Sequence, residues 1–162
     1  MHDSDAAAIS ALIQQQPVAA LATLHLPASA TAAEPAVSMV PFAVLPGGAL
    51  VIHVSRLASH TKDLFMHPTI ALLVTAPLDE NTSPLALPRL SIQGTATPCP
   101  QDAPLYEQAR STYLARFADA EELFNFSDFS LFVITPTSVR YVAGFGRAMS
   151  IGAERFGAIF QG

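Results

Sequence analysis

Side chains able to do chemistry are densest in one polar segment, residues 55–62, with the sequence SRLASHTK. The segment carries hydroxyl groups, a guanidinium, an imidazole and an ammonium group. Such donors, together with the free N–H groups of a helix start, are what a phosphate group requires. The same residue types also form ordinary polar turns that cap helices, and composition alone favours that simpler interpretation.

The pattern around this segment predicts the elements that hold it. Residues 49–55 are mostly apolar and β-branched and follow a Pro-Gly-Gly turn, which predicts a strand. A short helix should follow and end at His67-Pro68. Upstream, residues 35–43 form a strand-like run that we expect to pair with 49–55 as a hairpin.

The remaining chain alternates between strand-like and helix-like patterns. The strands are predicted at 18–26, 36–45, 49–55, 70–75, 89–97, 129–135 and 139–143, and the helices at 4–15, 101–117 and 119–124. A long polar loop spans 76–88, a turn is expected at Pro136-Thr137, and the tail from Gly144 has little periodicity. The prediction is a mainly β (α+β) fold, about six or seven antiparallel strands closing a small barrel with peripheral helices. Residues 1–162 are expected to form one domain.

Composition narrows the possible partners. The chain has 162 residues, a net charge of −5 and no basic run, which argues against nucleic acid and anionic membranes as partners. Only 13% of residues are charged and 51% are hydrophobic, so part of the surface is expected to be buried in an oligomer. The single Cys99 excludes an intrachain disulfide and fits a reducing compartment, and no signal peptide is evident. A cytoplasmic protein is therefore expected.

Four segments in order give the chain a family resemblance: PAVSMVPFA at 35–43, SRLASHTKDL at 55–64, PRLSIQGTA at 88–96 and VRYVAGFGRA at 139–148. With these segments the chain resembles the pyridoxamine 5'-phosphate oxidase-like FMN-binding split barrels, and among them the haem-utilisation branch. The resemblance implies a split barrel that binds FMN. It also implies a homodimer in which both chains build each flavin site.

The resemblance assigns roles to individual residues. Arg56, His60, Thr61 and Lys62 correspond to a segment that holds the flavin phosphate. Ser38 stands where an arginine often reaches that phosphate, a charge that serine cannot replace. The backbone at Met39 and Val40 would line the ring edge, and Arg89 stands where a glutamine contacts the pyrimidine end. The simpler alternatives are a solvated lysine, ordinary strand core and an outward arginine. The full cofactor-binding set is Ser38, Met39, Val40, Ser55, Arg56, His60, Thr61, Lys62 and Arg89.

Other patterns give no site. His53, His60 and His67 are spaced by seven residues, but they cross a strand, a turn and a helix end. They should therefore not converge on a metal, and no metal site is predicted. No G-x-S-x-G sequence occurs, and Gly144-Phe145-Gly146 lacks the third glycine of a dinucleotide fingerprint. No catalytic residue is assigned.

Three classes of function stay open. The first is an FMN-dependent oxidoreductase acting on an unidentified small substrate. The second is a haem-binding or haem-degrading protein; such members of the branch usually carry extra terminal segments that supply the iron ligand. Here the imidazole candidates are His2, His25, His53, His60 and His67. The third is a flavin-binding module without catalysis. Oxidation of pyridoxamine phosphate itself is disfavoured, because only Arg140 and Arg147 could hold a second phosphate near the C-terminal end.

Two apolar strands are predicted to form the surface through which the dimer associates. Strands 70–74 and 131–134 are rich in Val, Ile, Leu and Ala and could pack barrel against barrel. A two-fold axis would use each patch twice. The segment Gly144–Met149 or the loop 76–88 would then cover the flavin of the partner chain.

Overall fold

The structure, a computed structural model, describes residues 2–161. The strands are β1 Val18–His25, β2 Glu34–Pro41, β3 Ala43–Val44, β4 Leu50–Ser55, β5 Thr69–Thr75, β6 Arg89–Pro98, β7 Phe129–Gly144 and β8 Arg147–Gly152. The helices are α1 Asp3–Gln15, α2 Ser59–Met66, α3 Tyr106–Arg116 and α4 Ala153–Ala158, with 3-10 helices at Pro84–Ala86 and Ala118–Asn125.

All strand pairs are antiparallel and form one curled sheet in the order β2-β1-β5-β6-β7-β4-β3, with β8 added beside β7. This arrangement confirms the predicted mainly β barrel with peripheral helices, with one more strand than expected. Within residues 2–161, β2 pairs only with β1, so its other edge stays open beside β4. The barrel is therefore split along that edge.

Two apolar cores hold the sheet. The main core fills the barrel and includes residues from α1, α2 and α4, such as Ile9, Leu64 and Phe156. A second core lies under α3, where Val133 and its neighbours pack against Tyr113. Strands β4 and β7 are thus covered on both faces, and residues 131–134 are buried throughout. The prediction that 131–134 supplies a dimer surface is wrong, because α3 already covers that face.

The predicted hairpin between 35–43 and 49–55 is also wrong. Strand β2 pairs with β1 along its whole length, and only Ala43 and Val44 pair with β4. The change of neighbour occurs at Phe42, which is fully buried and donates its backbone N–H to the carbonyl of Pro17 at 3.2 Å. Burying this ring in the barrel separates β2 from β3.

Strand β7 runs through the expected turn at Pro136-Thr137. Pro136 lies opposite Gly94 at a register shift in β6, and a bulge of this kind tolerates a residue without an N–H. The chain then turns at Gly146, whose φ is +73°, to form β8 and α4. Neither element was predicted. None of the helices in residues 2–161 has both the length and the hydropathy that a membrane span needs.

Candidate functional site

Strand β4, the turn at 56–58 and helix α2 form the strand–turn–helix unit that the sequence predicts. Thr61 and Leu64 lie one turn apart on α2 and are both buried against the barrel. On the outer side of the same helix, Phe65 and Met66 are 48% and 66% exposed. The helix therefore has one face fixed in the core and one apolar face open to solvent.

The turn is fastened to the start of β7. Ser55 Oγ donates to the carboxylate of Asp128 at 2.8 Å, and Arg56 Nε donates to Ser130 Oγ at 3.0 Å. The Arg56 guanidinium also lies 5.9 Å from the centre of the Phe65 ring. Within residues 2–161 its two terminal nitrogens make no hydrogen bond, so they can bind an anionic group.

The three remaining candidates of this segment diverge. Thr61 is fully buried and its hydroxyl has no partner within residues 2–161, whereas Lys62 is exposed. His60 is half-buried, and burial lowers the pKa of its imidazole while the Asp63 carboxylate partly opposes that shift. The structure thus places these side chains on different faces of α2 and does not gather them into one phosphate cradle.

The ring-edge candidates lie on β2. Met39 is 64% exposed, Val40 is in the core and Ser38 is half-buried. Because the outer edge of β2 is unpaired, half of its backbone N–H and C=O groups face that edge. This edge could offer backbone hydrogen bonds to a ligand in the split.

Arg89 lies far from the turn. It starts β6 opposite Val142, at the other end of β7 from Ser130, and donates to the carbonyl of Leu87 at 3.0 Å. Within one chain the structure therefore does not bring Arg89 to Arg56 or Lys62.

A carboxylate–imidazole pair joins α2 to the end of β1. Asp63 is 5% exposed and accepts hydrogen bonds from Thr23 Oγ1 at 3.0 Å and from His25 Nδ1 at 2.8 Å. The His25 side chain is 42% exposed. Sequence reasoning missed this pair, because its partners are 38 residues apart and no local motif links them.

A cavity of about 550 Å³ lies outside β4 and β7, next to the 3-10 helix at 118–125. Its lining includes Arg56 and Phe129, and His53 stacks on Phe124 with ring centres 3.8 Å apart. Burial lowers the pKa of His53 from 6.5 to about 4, and its Nδ1 has no hydrogen-bond partner within residues 2–161. The imidazole is therefore neutral near pH 7, and it packs with Phe124 in the wall of the cavity.

Strands β2, β1 and β5 present a continuous apolar face to solvent. Ala20 on β1 lies between Met39 on β2 and Leu73 on β5, so all three point outward. The larger residues of this face are each between 37% and 74% exposed: Val18, Leu24, Val37, Met39 and Leu73. Within residues 2–161, no three His, Cys, Asp or Glu side chains are grouped as a metal site would require.

The chain is similar in sequence to two known heme oxygenases. It is 36% identical over 124 residues to the chloroplast heme oxygenase HOZ of Arabidopsis thaliana, a match that covers 75% of this chain and 36% of HOZ. It is 27% identical over 133 residues to the heme oxygenase HutZ of Vibrio cholerae, covering 82% of this chain and 75% of HutZ. The chain thus spans about a third of the length of HOZ and three quarters of that of HutZ.

A solved structure agrees with these matches. The heme binding protein from Mycobacterium smegmatis superposes with a TM-score of 0.80 at 34% identity, covering 94% of this chain and 60% of that protein. The sequence profile of the pyridoxamine 5'-phosphate oxidase family matches residues 6–143. The chain belongs to the pyridoxamine 5'-phosphate oxidase family and, within it, to the branch that contains the haem-utilisation proteins.

Proposed function

We propose that this protein binds haem and either stores it or degrades it. The observation that carries the proposal is the match to two heme oxygenases over three quarters or more of this chain. HutZ is named both a heme oxygenase and a heme storage protein, so either role is compatible with the match.

The residues around α2 fit the chemistry of haem. Haem is a flat apolar ring with two carboxylates and an iron that accepts axial ligands. Apolar side chains stand exposed on α2, in the turn before it and just after β1: Leu26, Leu57, Phe65 and Met66. Arg56 and Lys62 could pair with the carboxylates, and His25 supplies an imidazole.

Bound haem would supply the iron chemistry that activates oxygen, while this chain would hold and orient the ring. Titration of the purified protein with haemin tests binding, with a saturable shift of the Soret band as the expected result. Adding a reductant in air then separates the two roles. Loss of the Soret band with appearance of an open-chain tetrapyrrole indicates degradation, and a stable band indicates storage.

FMN is the second candidate, because the family contains FMN proteins and the open edge of β2 lies in the split. The argument for FMN is weakened by the lack of grouped cations for its phosphate. Ser38 carries no charge, and the side chains of residues 60–62 point to different faces of α2. If FMN binds with its phosphate at Lys62, Lys62→Ala should weaken binding by about 1.5–3 kcal/mol. Thr61→Ala should act in the same direction, and Ser111→Ala on α3 is the control. Equal FMN affinity in the Lys62 variant would remove the phosphate role.

We also propose a homodimer built on the outward apolar face of β2, β1 and β5. A second copy would cover side chains that the single chain leaves exposed, and two-fold symmetry is the commonest way to do so. Within one chain, Arg89 lies beside the end of β7 and the turn at 56–58 lies beside its start. A partner chain related by a two-fold axis could bring the Arg89 of one chain near the turn of the other. Segments 144–149 and 76–88 stay the predicted covering elements, and a cytoplasmic location stays a prediction.

Light scattering should give twice the chain mass of 17.1 kDa. Val37→Lys, at a side chain 74% exposed on this face, should shift the protein to monomer, whereas Gln108→Lys on exposed α3 should not. A wild-type monomer that binds its ligand at full affinity would rule out the shared site.

A further inference from the structure

We infer that the cavity of about 550 Å³ outside β4 and β7 is a separate binding site for a small planar aromatic acid. Tyr106 and His53 would contact a polar group of that molecule, and Arg56 would pair with its acid group. The site is independent of the proposed haem function, because its floor contains no residue of the cofactor-binding set.

The cavity lies apart from the surfaces described above. Its floor is formed by four buried residues: His53, Cys99, Tyr106 and Leu131. Among the residues that the structure describes, none from β1, β2 or β5 lines it, so it is separate from the open edge of β2 and from the proposed dimer face. Of the cofactor-binding set, Arg56 lines it at the rim. The cavity therefore belongs to a single chain.

Two side chains of the floor offer polar atoms that the protein does not use. Tyr106 is 9% exposed and His53 is 7% exposed. The Nδ1 atom of His53 is sealed within the protein, so Nε2 is the ring nitrogen left open to the cavity. Neither this Nε2 nor the Tyr106 hydroxyl has a hydrogen-bond partner within residues 2–161. A neutral imidazole nitrogen and a hydroxyl can each bond a polar atom of a ligand.

The walls of the cavity are aromatic. Phe124 stacks on His53 with ring centres 3.8 Å apart and ring planes 7° apart, and Phe129 lies 5.1 Å from the same imidazole. A planar ring inserted here would make further offset-stacked or edge-to-face contacts. Apolar walls with a few placed polar groups are typical of small-molecule sites. The lining therefore favours a planar aromatic molecule over a flexible polar one.

The charge of the lining favours an acid. Arg56 Nε donates to Ser130 Oγ, and the two terminal nitrogens of Arg56 make no hydrogen bond within residues 2–161. None of the described lining residues is an Asp or a Glu, and His53 is neutral near pH 7. A carboxylate of the ligand would thus meet a guanidinium with free donors and no opposing carboxylate.

The test is a titration of the 162-residue chain with 6-hydroxy-2-naphthoate, a fluorescent planar acid that also carries a hydroxyl group. We expect saturable binding at one molecule per chain. Tyr106→Phe should weaken binding about two- to tenfold, and it should fold because the lost hydroxyl has no partner within residues 2–161. The matched control is Tyr113→Phe, at a buried tyrosine of the same helix that does not line the cavity.

The role of the guanidinium has its own comparison. Arg56→Gln should weaken binding of 6-hydroxy-2-naphthoate by about tenfold or more, because a charge-assisted contact is lost. The same variant should bind 2-naphthol, which has no carboxylate, as well as wild type does. Arg140→Gln, at an exposed position near the other end of β7, is the control and should match wild type with both molecules.

Nuclear Overhauser contacts locate the bound naphthoate. Contacts to the methyl groups of Leu131, on the floor of the cavity, would support the site. Contacts to the methyl groups of Leu57 or Met66 instead would show that the naphthoate lies on the exposed apolar surface around α2, and would overturn the inference. Absence of saturable binding, or equal weakening in Tyr106→Phe and Tyr113→Phe, would also overturn it. Haemin binding is measured separately, so the haem proposal and this site can fail independently.

Discussion

Thr23→Val is the sharpest test of the buried pair, because it removes a hydroxyl and leaves the side-chain shape almost unchanged. Thr23 is 3% exposed and donates to Asp63 Oδ2 at 3.0 Å. The substitution leaves one oxygen of a 5% exposed carboxylate without its donor. A hydrogen bond to a charged group contributes about 1.5–3 kcal/mol, so we expect the free energy of unfolding to fall by that amount.

Urea unfolding followed by circular dichroism measures this loss, and the midpoint should fall with the slope unchanged. The matched control is Thr95→Val, on an exposed position of β6, which should change stability by about 0.5 kcal/mol or less. In an Asp63→Asn background the effect of Thr23→Val should shrink to about 0.5–1.5 kcal/mol, because the acceptor is then neutral. A Thr23→Val protein as stable as the control would refute the idea that Asp63 depends on this donor.

Three further predictions concern the scaffold. Gly94→Ala should lower the stability measured by thermal unfolding by at least about 2 kcal/mol, because an added Cβ would lie 2.7 Å from the Thr135 carbonyl oxygen. Gly152→Ala is the control, because a Cβ added there meets no atom within 4 Å. Arg116→Ala should lower the free energy of unfolding by roughly 2–3 kcal/mol and loosen the end of α1. The reason is that Arg116 Nη2 donates to the backbone carbonyls of residues 13, 14 and 16 at 2.9, 3.0 and 2.6 Å. Unchanged amide hydrogen exchange at the end of α1 in this variant would contradict the prediction. His53 has its pKa lowered from 6.5 to about 4, so the stability it contributes is complete above pH 6.5 and is lost as the pH falls from 6.5 toward 4. His53→Phe should therefore flatten the fall in urea midpoint over this range, and an equal fall in both proteins would count against the assignment.

The local elements could be predicted from the sequence, because their signals are local. Strand β4 and helix α2 occupy Leu50–Ser55 and Ser59–Met66, within a few residues of the predicted bounds, since β-branched residues and a Pro stop specify them directly. The family and the fold class followed from four short segments in order. These features depend on neighbouring residues.

The pairings and the carboxylate–imidazole pair could not be predicted, because they depend on distant partners. Strand β2 pairs with β1 rather than β4, and the change of neighbour comes at Phe42, whose ring is buried in the barrel. The turn expected at Pro136 disappears because Gly94 lies across from it, more than forty residues earlier. Strand β8 buries only Ile151 and is held by its pairing with β7 rather than by its own pattern. Asp63 meets His25 only after β1 and α2 have packed together.

The most direct test of the account is a haemin titration of the purified 162-residue chain, followed in the Soret region. We predict a saturable shift that ends at one haem per chain and that differs from the spectrum of haemin mixed with a control protein. A spectrum that matches the control at every ratio would contradict the proposal that this protein binds haem.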